Sequence, residues 1–522
     1  MFRPRVISTL AICMCVLSPN ASAQSAKGVQ RLSLQDAIQA ALANNLAIEI
    51  QRTSWQGVKE AGTMNEESAF EWTLGATGRM SWTKSGSYSE NVYLQDGQQL
   101  PVGQDRVTTT STNSFSTSIQ KAFKWGGSAQ FTYSPSYNGS NTDIISTLLD
   151  PPYTVFPTVS SENKNPYSGS MGITYTQSLL KGFGTKIATA QLIIAQRNLV
   201  AADANFKKVV QDQVAVIEAI YWNLVYAQMN LFNATQTLEI AKRLLRENQI
   251  RVETGVLAPI EVTSSEASVA QREVAIIQAE AAFLNAKDTF LRTVYSTTER
   301  PEEIELTDAP VVSQLNLEEG DAIENALKNR VELFTRRIDL QNAKLSEEVA
   351  HSNLKPTLNA SMGYNGAVSP AAGFGTVNSD IFGFRYPGYN VNLTFSMPLQ
   401  NKSARATDIR ARASRRSAEL SLKDQELAIT LDVRTAYRNL KAAEKSIVAS
   451  EKSRILAQET YDAEQMRFAN GLSTNFVVLQ RQNDLDNAKT AELNAKITYV
   501  NAQTALQQAM GTLLDYRHIQ VK

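Results

Sequence analysis

Two histidines and two cysteines are all that the 522-residue chain offers of the usual soft metal ligands and strong nucleophiles. His351 and His518 stand alone, without a second ligand at helical or hairpin spacing, and read as surface residues. Cys13 and Cys15 fall in an N-terminal segment that reads as removable, so neither is available for thiolate chemistry in a mature chain. The chain has no Walker loop, no His-Glu-x-x-His helix and no Gly-x-Ser-x-Gly nucleophile turn. With no acid and base paired at a shared site, the expectation is no catalysis, no cofactor and no metal. The informative residues lie elsewhere, in two glycine turns: Arg251-Val252-Glu253-Thr254-Gly255-Val256-Leu257-Ala258-Pro259 and Arg467-Phe468-Ala469-Asn470-Gly471-Leu472-Ser473-Thr474-Asn475. Gly255 and Gly471 sit where the end of a helix needs the left-handed conformation.

Each turn closes a long uninterrupted segment. Lys186 to Thr254 and Lys402 to Asn470 each run 69 residues with neither proline nor glycine. At 1.5 Å rise per residue each could form a helix of roughly 100 Å. In the first, Ile217, Ile220, Leu224, Ala227, Leu231, Ala234, Leu238, Ala241 and Leu245 alternate spacings of three and four; in the second, Val433, Ala436, Leu440, Ala443, Ile447 and Ser450 do so. That is a coiled-coil seam, and its mixture of small and large residues suits closely packed helices that need partners. Returning helices are expected from Ile260 to about Tyr295 and from Phe476 to about Met510, making two antiparallel hairpins.

The hairpins belong to a duplication. Asp36-Ala37-Ile38, Ala41-Leu42 and Asn44 recur 285 residues later as Asp321-Ala322-Ile323, Ala326-Leu327 and Asn329. Tyr221, Asn223, Leu224, Arg251, Gly255, Asn285 and Ala286 recur 216 residues later as Tyr437, Asn439, Leu440, Arg467, Gly471, Asn501 and Ala502. Two matched blocks in the same order mean two structural repeats, the first holding more residues between its opening helix and its hairpin. The expected division is a signal peptide over 1–23, a first repeat over 24–300 (helix 33–52, strands 70–178, hairpin 186–297) and a linker over 301–315. A second repeat over 316–511 (helix 319–350, strands 357–397, hairpin 402–510) and a tail over 512–522 follow.

The signal rests on Arg3 and Arg5 before an apolar run from Val6 to Leu17 and on the small residues Ala21-Ser22-Ala23. Gln24 follows that site, so no cysteine stands there to accept a lipid. With 51 Lys+Arg against 51 Asp+Glu, there is no electrostatic reason to expect nucleic acid as a partner. After the signal no run of about 18 apolar residues occurs, so a membrane crossing has to be made by strands in a closed barrel. Candidate strands are Phe70 to Trp82, Ser114 to Ala122, Ser128 to Tyr137 and Gly169 to Ser178 in the first half, and Thr357 to Asn365 and Tyr389 to Met397 in the second. Polar segments 85–111, 139–166 and 366–388 read as loops. Four to six strands are too few for a water-filled barrel with no open edge, which points to closure by several chains.

Over essentially the whole mature chain these features resemble the TolC-like outer-membrane efflux protein family. The resemblance rests on the paired Asp-Ala-Ile starts, on Gln177-Ser178-Leu179-Leu180-Lys181-Gly182-Phe183-Gly184 at a strand-to-helix junction, and on the two Arg-x-x-x-Gly turns. It implies a mainly α fold whose long hairpins form a periplasmic α-barrel, with strands contributing to a shared trimeric outer-membrane β-barrel. It implies a homotrimer in outer-membrane lipid, acting as the passive exit duct of a tripartite efflux pump or type I secretion system. Its partners would be a periplasmic adaptor (membrane fusion) protein and an inner-membrane transporter of the RND or ABC type. Carried onto this sequence, Arg251, Gly255, Val256 and Leu257, with Arg467, Gly471, Leu472 and Ser473, would form the adaptor-docking and gating tip. Members of the family often place aspartates six and nine residues after the second-turn glycine; here Val477 and Gln480 stand there, and Asp484 lies one turn beyond Gln480. Glu261, at the matching place in the first repeat, is the fallback acidic candidate. Against the four strands per chain usual in the family, the first-half surplus leans towards an extra hairpin around Trp125-Gly126-Gly127, hence up to 18 strands in a trimer.

A rival reading is a structural or adhesive coiled coil anchored in the outer membrane. It accounts for the heptads but not for strands and helices duplicated together.

Overall fold

The computed structural model describes residues 30–520 apart from 96–97, 150–154, 256, 296–300, 302 and 312–316. The expected signal over 1–23 and the tip residue Val256 lie outside the described residues. In chain order the first half contains β1 (Gln30–Leu32), α1 (Leu34–Asn44), α2 (Leu46–Ala61), α3 (Met64–Ser68), β2 (Thr73–Gln95), β3 (Gln98–Ala122), β4 (Gly127–Leu148), β5 (Val159–Glu162) and β6 (Tyr167–Ser178). It continues with α4 (Thr185–Ala188), α5 (Ala190–Glu253), α6 (Pro259–Val294) and β7 (Ile304–Leu306). The second half contains α7 (Glu319–Asn329), α8 (Val331–Ser352), β8 (Thr357–Ala371), α9 (Phe374–Phe382), β9 (Pro387–Ser396), α10 (Lys402–Ala469), α11 (Asn475–Met510) and α12 (Leu513–Tyr516). These form two compact units: Met1–Leu46 with Val214–Gln314 and Lys441–Thr504, and Ala47–Gln213 with Leu315–Leu440 and Ala505–Lys522.

The first unit holds the hairpin turns. Along α5 the buried residues Ile217, Leu224, Leu238 and Ala241 follow the seam, joined by Tyr221 and Leu244. The segment expected as a linker contributes β7, which pairs in parallel with β1 through Gln30 opposite Ile304 and Leu32 opposite Leu306. Three residues with no alternation give the sequence no strand signal; pairing supplies it. Helix α1 starts at a capping box in which Ser33 Oγ accepts from the Asp36 amide at 3.2 Å and the Ser33 amide donates to Asp36 at 3.2 Å. The buried Tyr221 hydroxyl donates to the Leu32 carbonyl at 3.3 Å. The second unit repeats that contact, with Tyr437 Oη donating to the Leu317 carbonyl at 3.2 Å.

Both opening helices are broken where the sequence suggested one continuous helix. The helix expected over 33–52 divides at Asn45 (φ −71°, ψ 119°) and then runs on to Ala61, while the one expected over 319–350 divides at Arg330 (φ −65°, ψ 121°) and runs on to Ser352. No proline or glycine marks either break; the cause is distant in sequence. Asn45 Nδ2 donates to the Thr293 carbonyl at 2.8 Å in the first unit, and Arg330 Nη1 donates to the Ala509 carbonyl at 3.3 Å in the second. Those carbonyls lie in the last turns of α6 and α11, where helical partners run out. Asn45 and Arg330 are 285 apart and Thr293 and Ala509 are 216 apart, so the duplication preserves the contact while changing the donor. The tail expected over 512–522 also contains structure: α12 buries Leu513 completely.

The second unit holds the sheet, with strand order β2-β3-β4-β6-β8-β9 and β5 paired to β4. All its pairings are antiparallel. One register row crosses six strands as Leu74, Ile119, Phe131, Ile173, Tyr364 and Tyr389; the next row is Thr73, Gln120, Gln130, Thr174, Gly363 and Asn390. Because successive side chains point to opposite faces, this part of the sheet has one apolar and one polar face. The strands β3 and β4 meet at the expected Trp125-Gly126-Gly127 turn, where Gly126 has φ +88° and an added Cβ would stand 3.0 Å from the Gly182 carbonyl. Segments 85–111 and 139–166 are not the loops expected. Residues 85–95, 98–111, 139–148 and 159–162 are strand. Their Ser and Thr are polar on both faces and hide the alternation, yet they pair, with hydroxyl contacts such as Thr108 to Thr142 at 3.1 Å. The 366–388 loop likewise contains α9. Among the described residues no helix is long and apolar enough to cross a membrane.

Candidate functional site

The two glycine turns lie in the first unit and are built alike. Gly255 has φ +76° and Gly471 φ +73°, and an added Cβ would meet nothing within 4 Å at either. Their requirement for glycine is therefore conformational, not steric. In the second turn the Leu472 amide donates to the Arg467 carbonyl at 2.9 Å and the Gly471 amide to the Phe468 carbonyl at 3.1 Å, the paired closure of a Schellman motif. The first turn has the Gly255 amide on the Val252 carbonyl at 3.0 Å and the Leu257 amide on the Arg251 carbonyl at 3.2 Å. Pro259 then opens α6, where its missing N–H costs nothing.

Side chains join the turns. Arg251 Nη1 donates to the Phe468 carbonyl at 3.3 Å, and its guanidinium lies 4.8 Å over the Phe468 ring. Phe468 belongs to a buried cluster with Leu244, Tyr461, Val478 and Leu485, against which Leu257 packs. Glu464 takes Arg467 at 3.6 Å and accepts a hydrogen bond from Ser473. Glu261 contributes its carbonyl, which accepts from Ser265 Oγ at 2.9 Å. Leu472 is 79% exposed at the tip. At the positions where the resemblance implies acidic residues, Val477 is half-buried and Gln480 exposed, while Asp484, one turn on, is an exposed partner of Arg481 at 3.0 Å.

Sequence reasoning missed the polar knot behind the turns. Asn248, Ser265 and Asn475 are essentially inaccessible to solvent. Asn248 Nδ2 donates to Ser265 Oγ at 2.8 Å and to Asn475 Oδ1 at 3.0 Å, and Asn475 Nδ2 donates to Ser265 Oγ at 3.0 Å. These three residues tie α5, α6 and α11 together. The available signal was Asn248, a polar residue three positions after the seam residue Leu245, where the alternation of three and four continues. Further from the turns Arg272 pairs with Asp486 at 2.9 Å, and Thr237 Oγ1 donates to Asp486 at 3.1 Å. Burial pushes the Asp486 carboxyl above its ordinary value, and Arg272 partly offsets this. Burial also raises the Tyr461 phenol. Among the described residues no group of His, Cys, Asp and Glu could hold a metal ion.

The arrangement offers capped helix ends tied by a buried polar knot. The sequence model of the outer membrane efflux protein family matches residues 127–292 and 322–512, more than half of the chain and both repeats. The chain belongs to the outer membrane efflux protein family. It is accordingly an outer-membrane efflux channel with periplasmic helices, and not an enzyme. Solved structures share the fold. The outer membrane protein VceC of Vibrio cholerae superposes with a TM-score of 0.62 at 14% identity, covering 92% of this chain and 96% of that one. The open-state outer membrane channel MtrE of Neisseria gonorrhoeae gives a TM-score of 0.60 at 14% identity, covering 92% and 89%. CusC, described in the context of transmembrane channel formation, gives 0.62 at 14% identity with 92% of both chains covered. No curated protein matches the efflux protein in sequence.

Proposed function

We propose that this efflux protein is the passive exit duct of a tripartite pump, closed as a homotrimer. The observation that carries the reading is the six-strand path with one apolar and one polar face and outer edges at β2 and β9. In lipid those edges require partners, and three copies supply 18 strands around a polar lumen. In a single chain α10 also leaves Ile409, Leu420, Leu427 and Leu431 exposed at helical spacing, a stripe suited to a neighbouring copy. Passage needs width and polarity more than a binding pocket.

The turns around Gly255 and Gly471 are then the periplasmic tip that opens and receives the adaptor, with Leu472 displayed on it and Arg251, Leu257, Glu261, Arg467 and Ser473 shaping it. The energised partner is an inner-membrane transporter of the RND or ABC type. Steady or gated ion conductance of the purified trimer in planar bilayers tests the duct, and a monomer without conductance sinks it. Crosslinking from Leu472→Cys in cells tests docking. Capture of no periplasmic adaptor would remove the tip from that role.

A further inference from the structure

The helix α9 lies between β8 and β9 in sequence and against β6 and β8 in space. It lies on the apolar face of the sheet, burying Val377 and Ile381 against Met171 and Val368, with Phe131, Tyr133 and Tyr364 packed around them. The register puts Phe131, Ile173 and Tyr364 in the same row as Leu74 and Ile119, on the face opposite the polar row through Thr73 and Gln120. The seat is built into the strands. A Cβ on Gly169 would come within 2.8 Å of Val377 Cγ1 and 3.0 Å of Ile381 Cδ1, so glycine there is what lets the helix approach. Tyr133 Oη donates to Asn378 from the sheet side.

Exposed aromatic rings flank this seat, the Phe382 ring lying 5.6 Å from that of Tyr133. Phe374 and Phe382 are 48% and 57% exposed. Just beyond α9, Phe384 is also exposed, though its ring lies 5.6 Å from that of Tyr364. Phe384 holds that position at φ +52°, a conformation a bulky residue adopts only when its surroundings impose it. Arg385 pairs with Asp380 at 3.2 Å, placing one charged pair beside the aromatic group.

We propose that α9 is a membrane-surface helix, seated on the lipid-facing side of the barrel and inserting Phe374, Phe382 and Phe384 among acyl chains of the outer leaflet. The inference rests on reading the apolar face as the lipid-facing one. Lipid is the occupant because the exposed aromatics continue the apolar row directly, and the β8–β9 connection is opposite the strand ends that lead into α4 and α10. The pattern of an apolar body with an Arg–Asp pair at its rim is that of an interfacial segment, with the sheet fixing a helix too short to bind alone. Through it the second repeat thickens its lipid contact without adding a strand.

Single cysteines at Phe374, Phe382, Val391 and Asn392, labelled with bimane in the full-length trimer, test this in phosphatidylethanolamine and phosphatidylglycerol vesicles. Val391 stands on the apolar face and Asn392 on the polar one. Dibrominated acyl chains should reduce fluorescence at positions 374, 382 and 391 alike, with iodide quenching only at 392. Iodide quenching at 374 and 382, or quenching by neither agent as expected under a covering protein, with 391 still lipid-quenched, overturns the role of α9 and leaves the barrel intact. Loss of lipid quenching at 391 overturns both. For the unsubstituted protein, a diazirine-bearing phospholipid in the same vesicles should mark the peptide 374–386. Labelling confined to the strands contradicts the proposal.

Discussion

Replacing Asn475 by alanine should favour the open channel. Its amide joins three helices through a donor to Ser265 Oγ at 3.0 Å and an acceptor for Asn248 Nδ2 at 3.0 Å, while a third contact to the Glu261 carbonyl, at 3.4 Å, is weak. Two sound buried hydrogen bonds contribute about 1 kcal/mol each, and leaving the inaccessible Asn248 with one partner fewer adds up to about 1 kcal/mol. Asn248 Oδ1 is already without a hydrogen bond, so this site has no spare partner to recruit. An opening that draws α11 away from α5 and α6 breaks the same bonds. Removing about 2–3 kcal/mol from the joined arrangement therefore shifts the closed-to-open ratio by about 30- to 150-fold. Single-channel recording in planar bilayers reads this as open probability, with thermal unfolding of the trimer as the companion measurement. An unchanged open probability together with a lowered melting temperature would refute the reasoning, because the knot would then stabilise open and closed forms equally.

Gly471→Ala should cost about 1 kcal/mol through the backbone alone, and Gly471→Asn less, since a Cβ at Gly471 meets nothing within 4 Å; equal losses on denaturant unfolding would contradict this. The raised Asp486 carboxyl contributes stability that is complete below its ordinary value of 3.8 and is lost as pH rises through its higher folded value. Asp486→Asn should flatten that part of the stability curve, and an unaltered slope between acid and neutral pH would remove Asp486 as its source. Tyr221→Phe and Tyr437→Phe each delete one hydroxyl-to-carbonyl bond and should cost about 0.5–1.5 kcal/mol. The former belongs at the low end because Leu32 still accepts the Thr307 amide at 3.2 Å; unfolding of the two variants side by side measures it. Gly169→Val should unseat α9, exposing the 374–382 segment to protease while the trimer persists on a native gel; protection equal to the parent would show that the close contact is dispensable.

The helical hairpins were legible because their signals are local: long spans without glycine or proline, a three-four seam, and a glycine where φ is positive. The breaks at Asn45 and Arg330 were not, since each is caused by a carbonyl far away in sequence and the two donors differ in type. Strand β7 and the polar parts of β2 and β3 escaped for a related reason. Their pairing depends on the neighbouring strand and not on an alternation of their own. At the tip, the sequence marked the turn residues but not Asn248, Ser265 and Asn475, because a small polar side chain on a helix looks solvated until its neighbours are known. The helix α9 was hidden by its glycines, which suggest a loop; Val377 and Ile381, four apart, were the only trace of a buried side.

The length of β3 has a practical side. Its 25 residues reach roughly 80 Å when extended, whereas an apolar band about 25 Å tall needs only about 11 residues of a tilted strand. More than half of the β2–β3 ribbon therefore stands clear of the bilayer as a stiff, hydroxyl-rich mast. A peptide epitope grafted at its far end would be held well away from the bilayer, making this ribbon a natural display scaffold.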